Sequence, residues 1–443
     1  MLDRIIQALQ GDKRFSAWQV TETAGRSHQR YSVFGQVETL REVEKRSFRV
    51  EVHVEHAGEK DAEGHALVGE SSFVVAGKGG DLGRELDLAF ERARLVKNRA
   101  WTLPGPSDAG AAAEVALVDP HIVERPGDAV LEIAARIGKA ADQHREVELA
   151  SSEVFCDFSR ARLVNSLGLE REGELTDVYT EYVLLAKGKG GEDESEVYRS
   201  STARRLEDLD VEGEVGSDVR ATVDGLSAKL PSTGVADVVI ADTAVAELFD
   251  AFVAHASGSA AFEGWSRLTL GAPIVGELEG EPLTLSSDAT LPGGLGSYPF
   301  DPHGLAARRV TLIDGGRFVA RCNDRRYGCW LREPATGALG NVVVASGARA
   351  EAELLAAGER PLYHLLRFSQ LTPHAYSGAF SGEIRHGYRV DPDGTRTPIK
   401  GGSISGVVFD AFQRAFYSKE RIVQGRTHAP RAVRLDRIQV TGA

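Results

Sequence analysis

The stretch Asp288-Ala289-Thr290-Leu291-Pro292-Gly293-Gly294-Leu295-Gly296-Ser297-Tyr298-Pro299-Phe300-Asp301 decides how this chain is read. Three glycines and two prolines in so short a run predict a stiff loop whose backbone can approach another surface closely. Composition leaves two readings open. The loop is either a tight crossover between strands or the wall of a groove exposing N–H and C=O groups. Outward from it, Arg309–Ile313 and Arg317–Cys322 flank Asp314-Gly315-Gly316, and Tyr388–Val390 and Thr397–Ile399 flank Asp391-Pro392-Asp393-Gly394. Both pairs read as hairpins. Val235–Ile240 reads as a strand and Thr243–Ser257 as helical. Residues 235–443 are therefore expected to form a β-rich domain with a curled sheet or partial barrel.

The N-terminal half has a different texture. Met1–Leu9 reads as a helix, followed by strands at Phe15–Glu22, Tyr31–Leu40, Ser47–His56 and His65–Ala76. Phe48, Val50, Val52 and Val54 alternate strictly. Asp81–Lys97 places Leu82, Leu86, Ala89 and Ala93 on one helical stripe. Leu103–Gly110, with two prolines and two glycines, reads as a linker. Beyond it come a helix at Asp128–Gln143, strands at Glu146–Asp157 and Tyr179–Ala186, a glycine-rich acidic surface loop at Gly188–Glu196, and a helix at Ser217–Leu230. The expected class is α+β: one sheet-plus-helix unit at 1–103, a second at 111–230, and the β-rich domain at 235–443.

Composition bounds what such a chain can do. Its 443 residues are 42% hydrophobic and 26% charged, enough for several cores. Lys plus Arg is 52 and Asp plus Glu 65, a net charge of −13, which repels phosphate backbones and argues against a nucleic-acid partner. No apolar run approaches the roughly 18 residues of a membrane helix, so no membrane role is expected. Met1-Leu2-Asp3-Arg4-Ile5 lacks the form of a signal peptide, and three cysteines make no disulfide framework. The expected setting is the cytoplasm.

Familiar catalytic motifs are missing. There is no Gly-x-Gly-x-x-Gly and no Gly-Lys-Ser/Thr, and no histidine precedes a glutamate as a zincin helix requires. Gly401-Gly402-Ser403-Ile404-Ser405 fails as a nucleophile elbow at its last position. His53 and His56 fall on opposite faces of an alternating strand. Cys322 and Cys329 lack the close pairing of a zinc knuckle and read as structural thiols. His364, His374 and His386 could converge in a folded sheet, although isolated hydrogen-bonded histidines are the ordinary alternative.

The loop at 288–301, then Gly304, Arg309-Val310-Thr311-Leu312-Ile313 and Gly315-Gly316, resembles in order and spacing the C-terminal domain of the TldD/PmbA family. So do Leu339-Gly340-Asn341 with Ala345-Ser346-Gly347, and Ser377–Gly382 with Gly387, Pro398 and Gly401-Gly402. The resemblance spans residues 235–410; the N-terminal half shares only the general pattern. The family is described as two-subunit peptidases acting on small or unfolded, often modified, peptides. One subunit, TldD, carries a His-Glu-x-x-x-His helix that binds a metal with help from a later cysteine. The other, TldE or PmbA, lacks that motif and pairs with it. The matching helix here is Leu248–Gly258, with Phe249 at the first histidine, Asp250 at the glutamate and Ala254 at the second histidine.

The resemblance thus implies a metal-free TldE-type subunit. It implies no catalytic residue, metal or cofactor in this chain, and zinc only in a TldD-type partner with which it forms a heterodimer. Pro292, Gly293, Gly294, Gly296 and Asn341 are then candidates for a peptide groove, with an extended peptide adding as a strand to an exposed sheet edge. His255, one position out of register, is expected on the helix surface. Two alternatives stand beside this reading. One is a homodimeric peptide-binding or scaffold protein. The other is a divergent autonomous enzyme in peptide natural-product tailoring, its site rebuilt from His255, His364, His374, His386 and Cys322. The family's older label, a modulator of DNA gyrase, finds no support in the charge balance.

Overall fold

Alternating apolar residues, Phe48 to Val54 the clearest run, build one sheet in the N-terminal half. The computed structural model describes residues 1–76, 80–188 and 194–442. Seven strands, β1 (Ala17–Val33), β2 (Gln36–Lys60), β3 (Ala66–Ala76), β4 (Asn98–Arg99), β5 (Glu148–Asn165), β6 (Glu170–Lys187) and β7 (Glu194–Ala203), pair in the order β4-β3-β2-β1-β5-β6-β7. The long antiparallel β1–β5 ladder, from Gln19↔Asn165 to Val33↔Ser151, joins the two sheet-plus-helix units into this one sheet. Helices α1 (Leu2–Gly11) and α2 (Leu82–Leu95) cover Phe48, Val50 and Val52; α3 (Pro126–Asp142) and α4 (Val211–Gly225) cover Val154, Val178 and Leu184. Asp81 starts α2 by accepting a hydrogen bond from the Arg84 N–H at 3.2 Å.

Several expected elements differ. Tyr31–Leu40 is not one strand: the chain turns at Phe34-Gly35, with φ of 44° and 76°, so three expected strands are two long ones. The outer arm, with Glu38, Arg41, Glu42, Glu44 and Lys45, is exposed and carries no apolar period to read. The helix expected at Ser217–Leu230 runs Val211–Gly225 instead. Of the acidic loop expected at Gly188–Glu196, residues 189–193 lie outside the described residues, and from Glu194 the chain is strand.

Among the described residues the C-terminal half holds thirteen strands: β8 (Gly234–Ala241), β9 (Leu285–Asp288), β10 (Arg309–Asp314), β11 (Arg317–Phe318), β12 (Asn341–Val344), β13 (Leu362–Phe368), β14 (Ala379–Val390), β15 (Arg396–Ile399), β16 (Ser403–Val407), β17 (Ala415–Tyr417), β18 (Arg421–Gln424), β19 (Thr427–Pro430) and β20 (Ala432–Thr441). The cycle β13-β8-β20-β16-β14 closes on itself through the β13–β14 pairing, so the expected curled sheet is a closed five-stranded barrel. The remaining sheet runs β11-β10-β9-β12-β19-β18. Both expected hairpins form, and Gly315 and Gly316 adopt the positive φ that a tight two-residue turn needs. A 3₁₀ segment (Asp242–Phe249) leads into α5 (Asp250–His255), whose Phe252 packs edge-on against Phe409 and Phe412.

Two clusters stand out among the contacts between the halves. Asp218 on α4, fully buried, accepts from Arg199 on β7 at 2.5 and 2.7 Å, from Tyr182 at 2.8 Å and from Arg367 on the barrel. Helix α6 (Arg325–Leu331) docks on the N-terminal sheet: Trp330 donates to the Arg99 carbonyl at 2.9 Å, and Arg326 pairs with Glu70 while lying over the Trp101 ring. The Arg325–Trp330 run is therefore an interdomain clamp.

Candidate functional site

The resemblance directs attention to α5. Along its open side runs a cleft of about 530 Å³, lined by Asp250, Val253, Ala254, Ser257, Cys322 and Arg426 among others. Apolar residues of α5 face the core, and the helix therefore leaves Asp250 and Ala254, one turn apart, on the cleft. Phe249 points the other way: it is fully buried and edge-on to Phe412 at 5.8 Å. Surrounding protein raises the Asp250 carboxyl above its ordinary range, and the Arg426 guanidinium opposes that rise. Asp324 also lines the cleft and caps α6 by accepting from the Tyr327 N–H at 2.8 Å.

These side chains do not make a metal site. The three positions that the resemblance sets against the metal helix offer a phenyl ring buried in the core, one carboxylate and a methyl group, which include neither of the imidazoles a zinc site of this kind draws on. Cys322 faces the cleft, but burial pushes its thiol up to about 11, and the S–H donates to the Gly337 carbonyl at 3.4 Å. Among the described residues no group of three or more His, Cys, Asp or Glu is placed to hold a metal ion.

His255 is not on the helix surface as the stripe suggested. It is fully buried, its Nδ1 accepting from the Arg267 N–H at 3.1 Å and its Nε2 donating to the Tyr376 carbonyl at 2.9 Å. Both ring nitrogens are spent on backbone, which fixes one neutral tautomer and ties the 376 loop to α5. Burial accordingly lowers its pKa. The other histidines do not converge either. His364 and His386 are buried on adjacent barrel strands, His364 held by Arg396 and near Glu351, and His386 pushed down to about 4 by burial. His374 is exposed on a loop, accepting from Ser377 at 3.1 Å.

The loop candidates divide. Pro292, Gly293 and Gly294 line a cavity of about 210 Å³ together with β7 residues Ser201, Thr202 and Ala203. Gly296 and Asn341 are behind that wall. Asn341 is fully buried and braces the loop, donating to the Asp288 carbonyl at 2.7 Å and to Ser297 at 2.8 Å while accepting from the Gly296 N–H at 2.8 Å. Sequence reading missed Arg426, Ser257 and Asp324. Each is an ordinary loop or cap residue whose place in the cleft arises only from tertiary packing.

Residues 233–442 match the family model described as the PmbA/TldA metallopeptidase C-terminal domain. No curated protein matches the sequence. Among solved structures, TldE from Thermococcus kodakarensis is similar at 19% identity and a TM-score of 0.80, covering 99% of this chain and 100% of that one. A Thermotoga maritima protein put forward as a modulator of a DNA gyrase is similar at 18% identity and 0.81, covering 99% of each chain. A Bacteroides thetaiotaomicron protein given the same role is similar at 17% identity and 0.82, covering 100% of this chain and 99% of that one. At these identities the likeness is one of fold.

Proposed function

We propose, from the premise that the C-terminal half of this chain is a PmbA/TldD-family domain, that the protein is the metal-free half of a two-chain TldD/TldE-type peptidase acting on small or modified peptides. One observation carries this reading. The α5 cleft keeps an open volume of about 530 Å³, while the positions aligned with the metal ligands hold a core phenylalanine and an alanine. A metallopeptidase partner polarises the scissile carbonyl. This chain encloses and positions the peptide, which shortens the search for a reactive geometry and keeps folded proteins out. Three free thiols fit a reducing, cytoplasmic setting. Among the described residues no helix is long and apolar enough to cross a membrane.

The experiment is purification of the chain alone and together with a TldD-type subunit, followed by metal analysis and peptide hydrolysis. The expected result is no stoichiometric zinc and no hydrolysis alone, and both in the two-chain complex. Stoichiometric zinc bound by the lone chain overturns the proposal.

A further inference from the structure

The α5 cleft offers no set of metal ligands, yet it holds opposite charges. Of the residues that line it, Asp250, Asp324 and Arg426 are charged, and Asp324 already serves as the cap of α6. One carboxylate and one guanidinium are left. Among the described residues neither of these side chains has an ion-pair partner within 4.0 Å, the other included. Asp250 and Arg426 thus face the same space without spending their charges on each other. Both stand on stiff backbone. Asp250 opens α5, whose Phe252 is held edge-on by Phe409 and Phe412. Arg426 lies in the two-residue β18–β19 turn, after Gly425 with φ of 56°, and its carbonyl accepts from the Val342 N–H at 2.8 Å.

The rest of the wall is largely apolar and anchored. Val253 and Ala254 come from α5, Ala338 and Leu339 from the segment before β12, and Pro373 and Ala375 from the loop after β13. Buried His255 fixes that loop by donating to the Tyr376 carbonyl at 2.9 Å, and the His374 N–H donates to the Ala379 carbonyl at 2.8 Å. The volume of about 530 Å³ falls within the range of about 300–1,000 Å³ found for small-molecule sites, which combine apolar walls with a few orienting polar groups.

We infer that the α5 cleft is a binding site for a small aliphatic zwitterion, a free amino acid or a dipeptide. Its ammonium group pairs with Asp250, its carboxylate pairs with Arg426, and its side chain lies against Val253, Leu339 and Pro373. The charge-assisted contacts set the orientation, and the apolar wall disfavours polar side chains. The site belongs to this chain alone and asks for neither a metal nor a partner subunit, so it goes beyond the role proposed above.

The test is a titration of the full chain alone with Ala-Leu, followed by broadening of the ligand's methyl NMR signals. Saturable binding is expected. N-acetyl-Ala-Leu and Ala-Leu amide, each lacking one charge, should bind about fivefold more weakly. Asp250→Asn should weaken Ala-Leu about fivefold and leave N-acetyl-Ala-Leu unchanged, because that ligand has no ammonium group to lose. Arg426→Gln should likewise weaken Ala-Leu and leave the amide unchanged. A merely structural role for either residue would weaken all three ligands alike, and that outcome overturns the site. So does equal binding of the free and blocked dipeptides by the parent chain. Free leucine, run in parallel, separates a one-residue from a two-residue ligand, and saturation by either supports the site. Absence of hydrolysis by the two-chain complex counts against the peptidase role and leaves this site standing; failure of both Ala-Leu and leucine to bind does the reverse.

Discussion

Single buried side chains set how this molecule answers to pH. His386 lies in the barrel wall, 4% exposed, and its pKa falls from 6.5 to about 4, chiefly through burial, with Arg367 and His364 adding repulsion and Asp224 opposing. Between those two values the unfolded chain holds a proton that the folded chain refuses. Stability is therefore lost as pH drops from 6.5 toward 4, by about 3 kcal/mol from this one group. A His386→Gln variant should show a flatter dependence of urea-unfolding free energy on pH across that window than the parent. Identical slopes would rule out the buried neutral imidazole. His386 was visible in the sequence as a candidate; its burial was not, because a histidine on an alternating strand carries no mark of which face closes over it. The same holds for His255, whose apolar stripe was legible while its side chain's direction was set by the 376 loop arriving from far along the chain.

At the scale of elements, local chemistry was the most readable. Gly315-Gly316 announces its own hairpin, because two consecutive positive φ values need glycine. The β1–β2 hairpin hid its length, since its outer arm is charged on both faces and only the inner arm shows the alternation of Phe48 to Val54. The 288–301 loop is intermediate: its glycines signalled close approach, but not to what. The structure answers that a Cβ on Gly296 would lie 2.6 Å from the Asn341 nitrogen and 2.6 Å from the Gly340 carbonyl carbon, both backbone atoms that cannot swing aside. Gly296→Ala should therefore cost about 1–3 kcal/mol in chemical denaturation. Pro292→Ala, on the groove side of the same loop, should move the midpoint far less. Equal effects from the two would mean that the loop is not braced from behind by Asn341.

Across the whole molecule, the decisive contact joins three elements that sequence analysis had no means to connect. Asp218 takes Arg199 from β7 and Arg367 from the barrel, and so fixes the spacing between the open sheet edge and the wall that faces it. A fully buried carboxylate holding two guanidinium groups is expensive to assemble, yet removing it alone is worse, because two desolvated cations are left facing each other. Asp218→Ala should cost about 3–5 kcal/mol, measured by equilibrium denaturation. Part of that loss should return in Asp218→Ala/Arg367→Met, where one stranded charge gives way to an apolar chain of similar length. The double-mutant cycle therefore predicts a combined cost smaller than the sum of the two single costs. Strictly additive costs would show that Asp218 and Arg367 do not act as one unit, and that the two halves of the chain are held in register by other contacts, such as the α6 clamp and the Arg204–Leu295 hydrogen bond.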